Sequence, residues 1–266
     1  MSPEPLLEVV GLEVAFPPGR SGRSRVLDGV SLTVGSGERV GLVGASGSGK
    51  SLTALAILGL VPEPGEIRAG EVRVDGADAA GIGNLRGGVI GLVLQEGGSA
   101  LNPTFGVGFQ LVETIEAHRI ARGRSARQRA LELLEEVALE PADAIFRAYP
   151  HQLSGGQAQR VMIALALAGE PRLVIADEPT TALDVVTQAR VMDLLGRICD
   201  ERGLGLLLVS HDLAALAGSV HRLVVMHDGK IVEDGAVEEI LSEPVHPETR
   251  RLVAAAHRLR GGVGAA

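Results

Sequence analysis

The chain has 266 residues, with 33 acidic against 25 basic side chains, a formal net charge of −8, and 45% hydrophobic residues. With a pI near 5.4, it lacks the clustered Lys and Arg with which a nucleic-acid-binding surface neutralises phosphates, so no DNA or RNA partner is implied. The longest apolar runs (Leu52 to Val61, Val161 to Gly169, Leu204 to Val209) fall short of the roughly 18 residues that cross a bilayer, so the apolar excess belongs to a core.

The opening residues, Met1-Ser2-Pro3-Glu4-Pro5, carry no basic segment followed by an apolar run, and export is not expected. Leu6 to Phe16 and Ser31 to Val34 alternate apolar and polar residues, as half-buried antiparallel strands do. The Gly/Pro/Ser/Arg-rich stretch Pro17 to Arg25 between them reads as a turn or exposed loop. Val40 to Val43 is a short apolar strand running into Gly44-Ala45-Ser46-Gly47-Ser48-Gly49-Lys50-Ser51, after which Ser51 to Leu60 has helical character. Strand, Gly-rich loop and helix in that order define a phosphate-binding loop. Gly47 and Gly49 let backbone N–H groups surround a β-phosphate, Lys50 reaches the β- and γ-phosphates, and the Ser51 hydroxyl suits Mg²⁺. Lys50 and Lys230 are the only lysines in the chain, which gives the one in the loop a chemical rather than a compositional reason to be there.

Glu71 to Val74 and Val89 to Leu94 read as strands. Beyond Gln95 the pattern changes, and from Phe109 to Leu139 apolar residues recur at helical spacing with Arg and Glu between them. The arginines from Arg119 to Arg129 form a solvated face, since Glu132, Glu135 and Glu136 follow on the same stretch. Helices are predicted over Gln157 to Ala168, Val185 to Glu201 and Glu248 to Arg260, with strands over Leu173 to Ala176 and Leu206 to Ser210. A hairpin is predicted across His227-Asp228-Gly229, and Gly261 to Ala266 reads as a frayed end. Alternating strands and helices specify an α/β fold with a mostly parallel sheet. Cys199 reads as a half-buried apolar residue, and the histidines other than His211 form no metal-ligand spacing, so no protein-bound metal cluster is expected.

Leu173-Val174-Ile175-Ala176-Asp177-Glu178 sets two carboxylates at the carboxyl edge of a buried strand, where open α/β sheets bind ligands. Asp177 is placed to hold Mg²⁺ through water and Glu178 to polarise a water attacking a γ-phosphate. Leu153-Ser154-Gly155-Gly156-Gln157 opens a helix whose positive end suits an anion.

The loop at 44–51, Gln95, Leu153 to Gln157, Asp177-Glu178, Ala182-Leu183-Asp184 and His211 stand in the order found in the ATPase subunits of ABC transporters, and the chain resembles that family over nearly its whole length. The resemblance implies a P-loop NTPase: a RecA-like core over about 1–96 and 157–245 with an antiparallel β subdomain, a helical subdomain inserted at about 97–156, and a helical tail at about 246–266. It also implies ATP and Mg²⁺ as cofactors. Leu153 to Gln157 becomes the signature motif touching the γ-phosphate of ATP on an opposite subunit. Gln95 touches Mg²⁺ and water and reports to the membrane partner. His211 is the γ-phosphate switch, Asp184 communicates across the dimer, and Phe16 matches the position whose ring stacks on adenine, a core role for that ring being the alternative.

Gln95 to Pro103, Tyr149-Pro150-His151-Gln152, Asp184 to Gln188 and Pro244-Val245-His246-Pro247 are similar to the oligopeptide, dipeptide and nickel importer subfamily. The sequence departs from it at Glu96-Gly97-Gly98, where the subfamily usually has an acidic residue and a proline. It also lacks a cysteine-containing C-terminal extension, which points to the shorter nickel-type or metallophore-type members. The implied partners are a second ATPase subunit, identical or paralogous, two membrane-spanning permeases, and, indirectly, an extracytoplasmic binding protein. The implied location is the cytoplasmic face of the membrane. The alternatives are a soluble ABC ATPase without a transporter and a degenerate subunit that binds ATP without turnover.

Overall fold

The computed structural model describes residues 4–17, 25–95, 100–181 and 183–262. The loop expected across Pro17 to Arg25 (in its 18–24 part), the departure at Glu96-Gly97-Gly98, Ala182 and the last four residues, 263–266, lie outside them. The chain divides into two compact units, one made of 1–83 with 205–266 and the other of 84–204.

In the first unit the alternation read near the N-terminus becomes strand Leu7–Ala15, whose Leu7, Val9, Leu12 and Val14 face inward. It pairs antiparallel with Arg25–Val34 on one side and Glu66–Val74 on the other, with the short Ala77–Asp78 strand beyond. This is the expected antiparallel β subdomain. The strand Arg39–Val43 is buried along its apolar length and pairs in parallel with Gly205–Ser210 and Arg222–His227. A strand flanked on both sides by parallel neighbours loses its polar face, so its sequence reads as a continuous apolar run. Arg222–His227 then folds back antiparallel onto Lys230–Ala236, the hairpin read around His227-Asp228-Gly229. The terminal helix, Pro247–Gly262, belongs to this unit.

In the second unit Ile90–Val93 pairs in parallel with Leu173–Asp177. Helices Val107–Ala117, Arg124–Glu136, Ala142–Arg147, Gly155–Leu167 and Val185–Arg202 surround a core that includes Leu111, Ile115, Leu133, Leu134, Ile163 and Leu167. The single periodic stretch from Phe109 to Leu139 is broken in two: Arg119 takes a left-handed φ of 62°, and the Gly123 N–H donates to Glu116 Oε1 at 2.7 Å. Periodicity alone cannot register this turn, because the apolar stripe resumes in phase beyond it. The grouping runs wider than the insertion expected at about 97–156, because helix Gly155–Leu167 packs on Ile90–Val93 as well as on Val107–Ala117 and Arg124–Glu136. Cys199, read as half-buried, is fully buried on the inner face of its helix.

One side chain ties the first unit's layers together. Arg222 donates from Nε to Glu38 at 2.7 Å, from Nη1 to both Asp234 oxygens at 2.7 and 2.8 Å, and from Nη2 to the Thr33 carbonyl at 2.6 Å. Burial opposes ionisation of Glu38, but the Arg222 guanidinium and the Gly35 N–H outweigh it and hold the carboxyl below its usual range. A depressed folded-state value means that stability from this contact is present above the unfolded carboxyl value of about 4.3 and is lost as pH falls through the folded value. Arg222→Ala should therefore cost about 2 kcal/mol at neutral pH, read as a lower urea midpoint at unchanged slope. The gap from the parent chain should narrow below about pH 4. An equal midpoint at neutral pH would refute the tie.

Candidate nucleotide site and the family it belongs to

The carboxyl end of Arg39–Val43 leads straight into the loop, and helix Lys50–Ile57 follows with Gly49 at its cap. Two glycines here have different physical causes. At Gly47, φ is 79° with open space where a Cβ would be, so the backbone conformation demands it. At Gly44, a Cβ would lie 2.1 Å from the Met226 carbonyl oxygen, so the close approach of a neighbouring strand demands it. The Gly229 N–H donates to the Ser48 carbonyl at 2.9 Å, and the Gly229 carbonyl accepts from Asp28 at 2.9 Å, so the hairpin turn holds the loop against Arg25–Val34. Lys50 is only 5% exposed and its Nζ donates to the carbonyls of Gly44 and Ala45 at 2.9 and 3.0 Å, which curls the side chain back along the loop. Ser48 Oγ is buried without a hydrogen-bond partner inside the same loop. A cradle with buried polar atoms, a cation and a following helix N-terminus fits a polyphosphate. Ser51 is the next residue of that helix and is exposed.

His211 follows strand Gly205–Ser210 at the sheet edge where the loop begins, since Ser210 is paired with Val43. Asp212 beside it caps the short helix Leu213–Leu216 through the N–H groups of Ala214 and Ala215. Phe16 is half-buried, with its ring against Gly65, where a Cβ would meet Cζ at 2.6 Å.

In the second unit, Asp177 closes strand Leu173–Asp177 and Glu178 follows it at a left-handed φ of 45°. Gln95 Nε2 donates to Glu178 Oε2 at 3.2 Å, which brings together two residues picked out 83 positions apart in the chain. Within the second unit, Asp177 and Gln95 carry oxygen donors of the kind that a hard cation such as Mg²⁺ takes. Among the described residues no group of three or more His, Cys, Asp or Glu forms a metal cluster, so phosphate and water oxygens would complete such an ion's shell.

Ser154 caps helix Gly155–Leu167 by accepting from Gln157 N at 3.3 Å, while Gln157 Oε1 accepts from Ser154 N at 2.9 Å, a reciprocal capping box. Asp184 caps Val185–Arg202, accepting from the Val186 and Thr187 N–H groups at 3.1 and 3.0 Å and from the Thr187 hydroxyl at 2.7 Å. The Thr187 hydroxyl and backbone bonds hold the Asp184 carboxyl below its usual range. The structure thus joins two motifs that sequence reading treats separately. Ser154 to Gln157 and Leu183, Asp184 and Thr187 line one cavity of about 480 Å³, with Glu140 and Arg160 on its wall. Helix Gly155–Leu167 starts at this cavity, while the start of Val185–Arg202 is already covered there by the Asp184 carboxylate.

Sequence reading missed Met226 and Gly229, whose contacts with the loop span most of the chain, and Thr181, whose hydroxyl meets Glu178. The only local hint for Thr181 was a hydroxyl residue three positions after a carboxylate.

The ABC transporter family profile matches residues 27–181. This chain belongs to the ABC transporter family. Among similar proteins, the dipeptide transport ATP-binding protein DppD of Escherichia coli (strain K12) is 43% identical over 255 residues, covering 94% of this chain and 78% of its own length. The peptidoglycan transport ATP-binding protein YejF of Agrobacterium fabrum is 45% identical over 258 residues, 95% of this chain and 47% of its own. Among solved structures, the dimeric post-hydrolysis state of the ATP-binding cassette MJ0796, bound to ADP and Pi, superposes with a TM-score of 0.74 at 32% identity, covering 87% of this chain and 98% of that one. CbiO1 from Clostridium perfringens gives a TM-score of 0.77 at 25% identity, over 97% and 100%. As an ABC ATPase the chain binds and hydrolyses ATP.

Gly44→Ala should weaken binding of a fluorescent ATP analogue by at least about tenfold, or roughly 1.4 kcal/mol, because the added methyl group must push the Met226 backbone away from the loop. Parent-like affinity in a folded variant would show that the close approach is dispensable.

Proposed function

We propose that this ABC ATPase is one half of a pair that energises an importer, with a peptide-class cargo. The reading rests on the cavity that Ser154 to Gln157 of the signature line together with Leu183, Asp184 and Thr187. Glu178, Gln95 and His211 carry the hydrolytic chemistry in this reading. Glu178 accepts the proton of the attacking water, Gln95 orients water and Mg²⁺, and His211 senses the γ-phosphate. Gly44 to Ser51 hold the phosphates, with Lys50 neutralising charge and Ser51 and Asp177 serving Mg²⁺. Phe16 covers adenine. Ser154, Gly155, Gly156 and Gln157 serve the triphosphate of the other copy, and closure and release of the pair drive the membrane partners.

The cargo class is taken from the names of the similar proteins, which are dipeptide and peptidoglycan transport subunits. Nickel and other metal complexes are the other cargoes of the subfamily that the sequence resembles, and neither of these names favours them. Neither name suits the soluble alternative.

Two permeases and an extracytoplasmic binding protein complete the assembly, with this subunit peripheral at the cytoplasmic face. Among the described residues no helix is long and apolar enough to cross a membrane. A docking surface is available on the second unit. Of four phenylalanines and one tyrosine in the chain, Phe105 (44% exposed), Phe109 (50%) and Tyr149 (43%) lie open to solvent. Phe105 and Phe109 stack at 4.7 Å, and the Val107 N–H bonds the Ala148 carbonyl, which brings the Tyr149 segment alongside. Solvated aromatic surface of this kind marks an interaction site.

Two measurements test the reading. Glu178→Gln with ATP should elute at twice the monomer mass, and adding Ser154→Arg should return it to monomer; equal elution of the two variants would reject service in trans. Phe105→Ser with Phe109→Ser should keep ATPase activity yet lose co-purification with permeases from membranes, and undiminished recovery would move the docking surface elsewhere.

A further inference from the structure

We infer that Thr181 is a positioning residue for the hydrolytic carboxylate, acting through Glu178; the inference rests on the reading of Glu178 as the base. The Thr181 hydroxyl donates to Glu178 Oε2 at 2.9 Å, on the same oxygen that accepts from Gln95 at 3.2 Å. The Thr181 N–H also reaches the Glu178 carbonyl at 3.4 Å, and Leu183 N bonds the Thr180 carbonyl at 3.0 Å, so the chain turns back on itself directly after the strand. Glu178 sits at φ 45°, a left-handed conformation that costs a side-chain-bearing residue about 1–2 kcal/mol and persists only where surrounding contacts enforce it.

The chemistry follows from the donor types. A glutamate side chain has freely rotating torsions whose ordering costs free energy at each turnover unless they are fixed beforehand. Threonine is β-branched and stiff at χ1, so its hydroxyl is a short donor on a rigid stem, whereas Gln95 reaches the carboxylate on a long flexible one. With both donors on Oε2, the plane of the carboxylate is defined, and a proton acceptor for the attacking water is held in one orientation. Thr181 is itself exposed, so its removal leaves no cavity in the core.

The test is steady-state ATP hydrolysis by the full chain, with kcat and KM for ATP measured separately. Thr181→Val keeps the shape and removes the hydroxyl. It should lower kcat about tenfold, the effect of losing one hydrogen bond to a charged group, with KM for ATP unchanged. Thr181→Ser should restore kcat, and Thr181→Ala should behave like Thr181→Val. Parent-like kcat in Thr181→Val would overturn the inference, as would failure of Thr181→Ser to rescue, or a raised KM with unchanged kcat. Glu178→Gln separates the two levels of the argument. If it is inactive while Thr181→Val is parent-like, only the role of Thr181 falls; if it hydrolyses ATP at the parent rate, the base assignment itself falls.

Discussion

The structure hinges on a contact between two stretches of main chain. The Met226 carbonyl lies where any side chain at position 44 would have to begin, and the neighbouring turn holds the loop by the bond from Gly229 to Ser48. A phosphate cradle works only if its N–H groups converge before the ligand arrives, because ordering them on binding would consume the affinity they provide. Strand Arg222–His227 and its hairpin supply that order from far along the chain. The Arg222 ties to Glu38, Asp234 and Thr33 anchor the same strand at its other end, so the network around Arg222 and the shape of the loop belong to one mechanical unit.

Electrostatics in the second unit follows a different plan. Ser154 and Asp184 are both helix caps, and capping alone explains why a serine and an aspartate stand there. Their convergence on one cavity goes beyond what capping needs. Ser154 shares its bonds with Gln157, and Asp184 spends its charge on Val186 and Thr187, so each helix start is ordered within its own unit before any partner arrives. Gly156 lies close enough to Thr187 that an added Cβ would stand 2.7 Å from its methyl group, which ties the two helix starts sterically as well.

What could be read from the sequence divides along physical lines. The Gly-rich loop between strand and helix, the carboxylates that close a strand and the helix opening at Leu153 to Gln157 were legible because each is written in contiguous residues, and the buried strands because parallel pairing leaves them uniformly apolar. The break at Arg119 was not legible, since an apolar stripe that resumes in phase hides a turn. Nor were the roles of Met226, Gly229 and Thr181, which depend on where distant or solvent-facing atoms meet. The burial of Cys199 was underestimated because a lone small side chain gives no periodic signal of its own. The grouping of 84–204 as one body reflects helix Gly155–Leu167 packing on both strand and insert, a tertiary choice that local spacing does not encode.

The scarcity of lysine has a practical consequence. Lys50 is folded into the loop at 5% exposure, whereas Lys230 stands at the hairpin with 59% of its side chain exposed, paired to Asp28 at 3.0 Å. An acylating reagent aimed at side-chain amines therefore meets one accessible target, and a dye attached at that hairpin would mark the body bearing the Gly-rich loop while leaving Lys50 chemically intact.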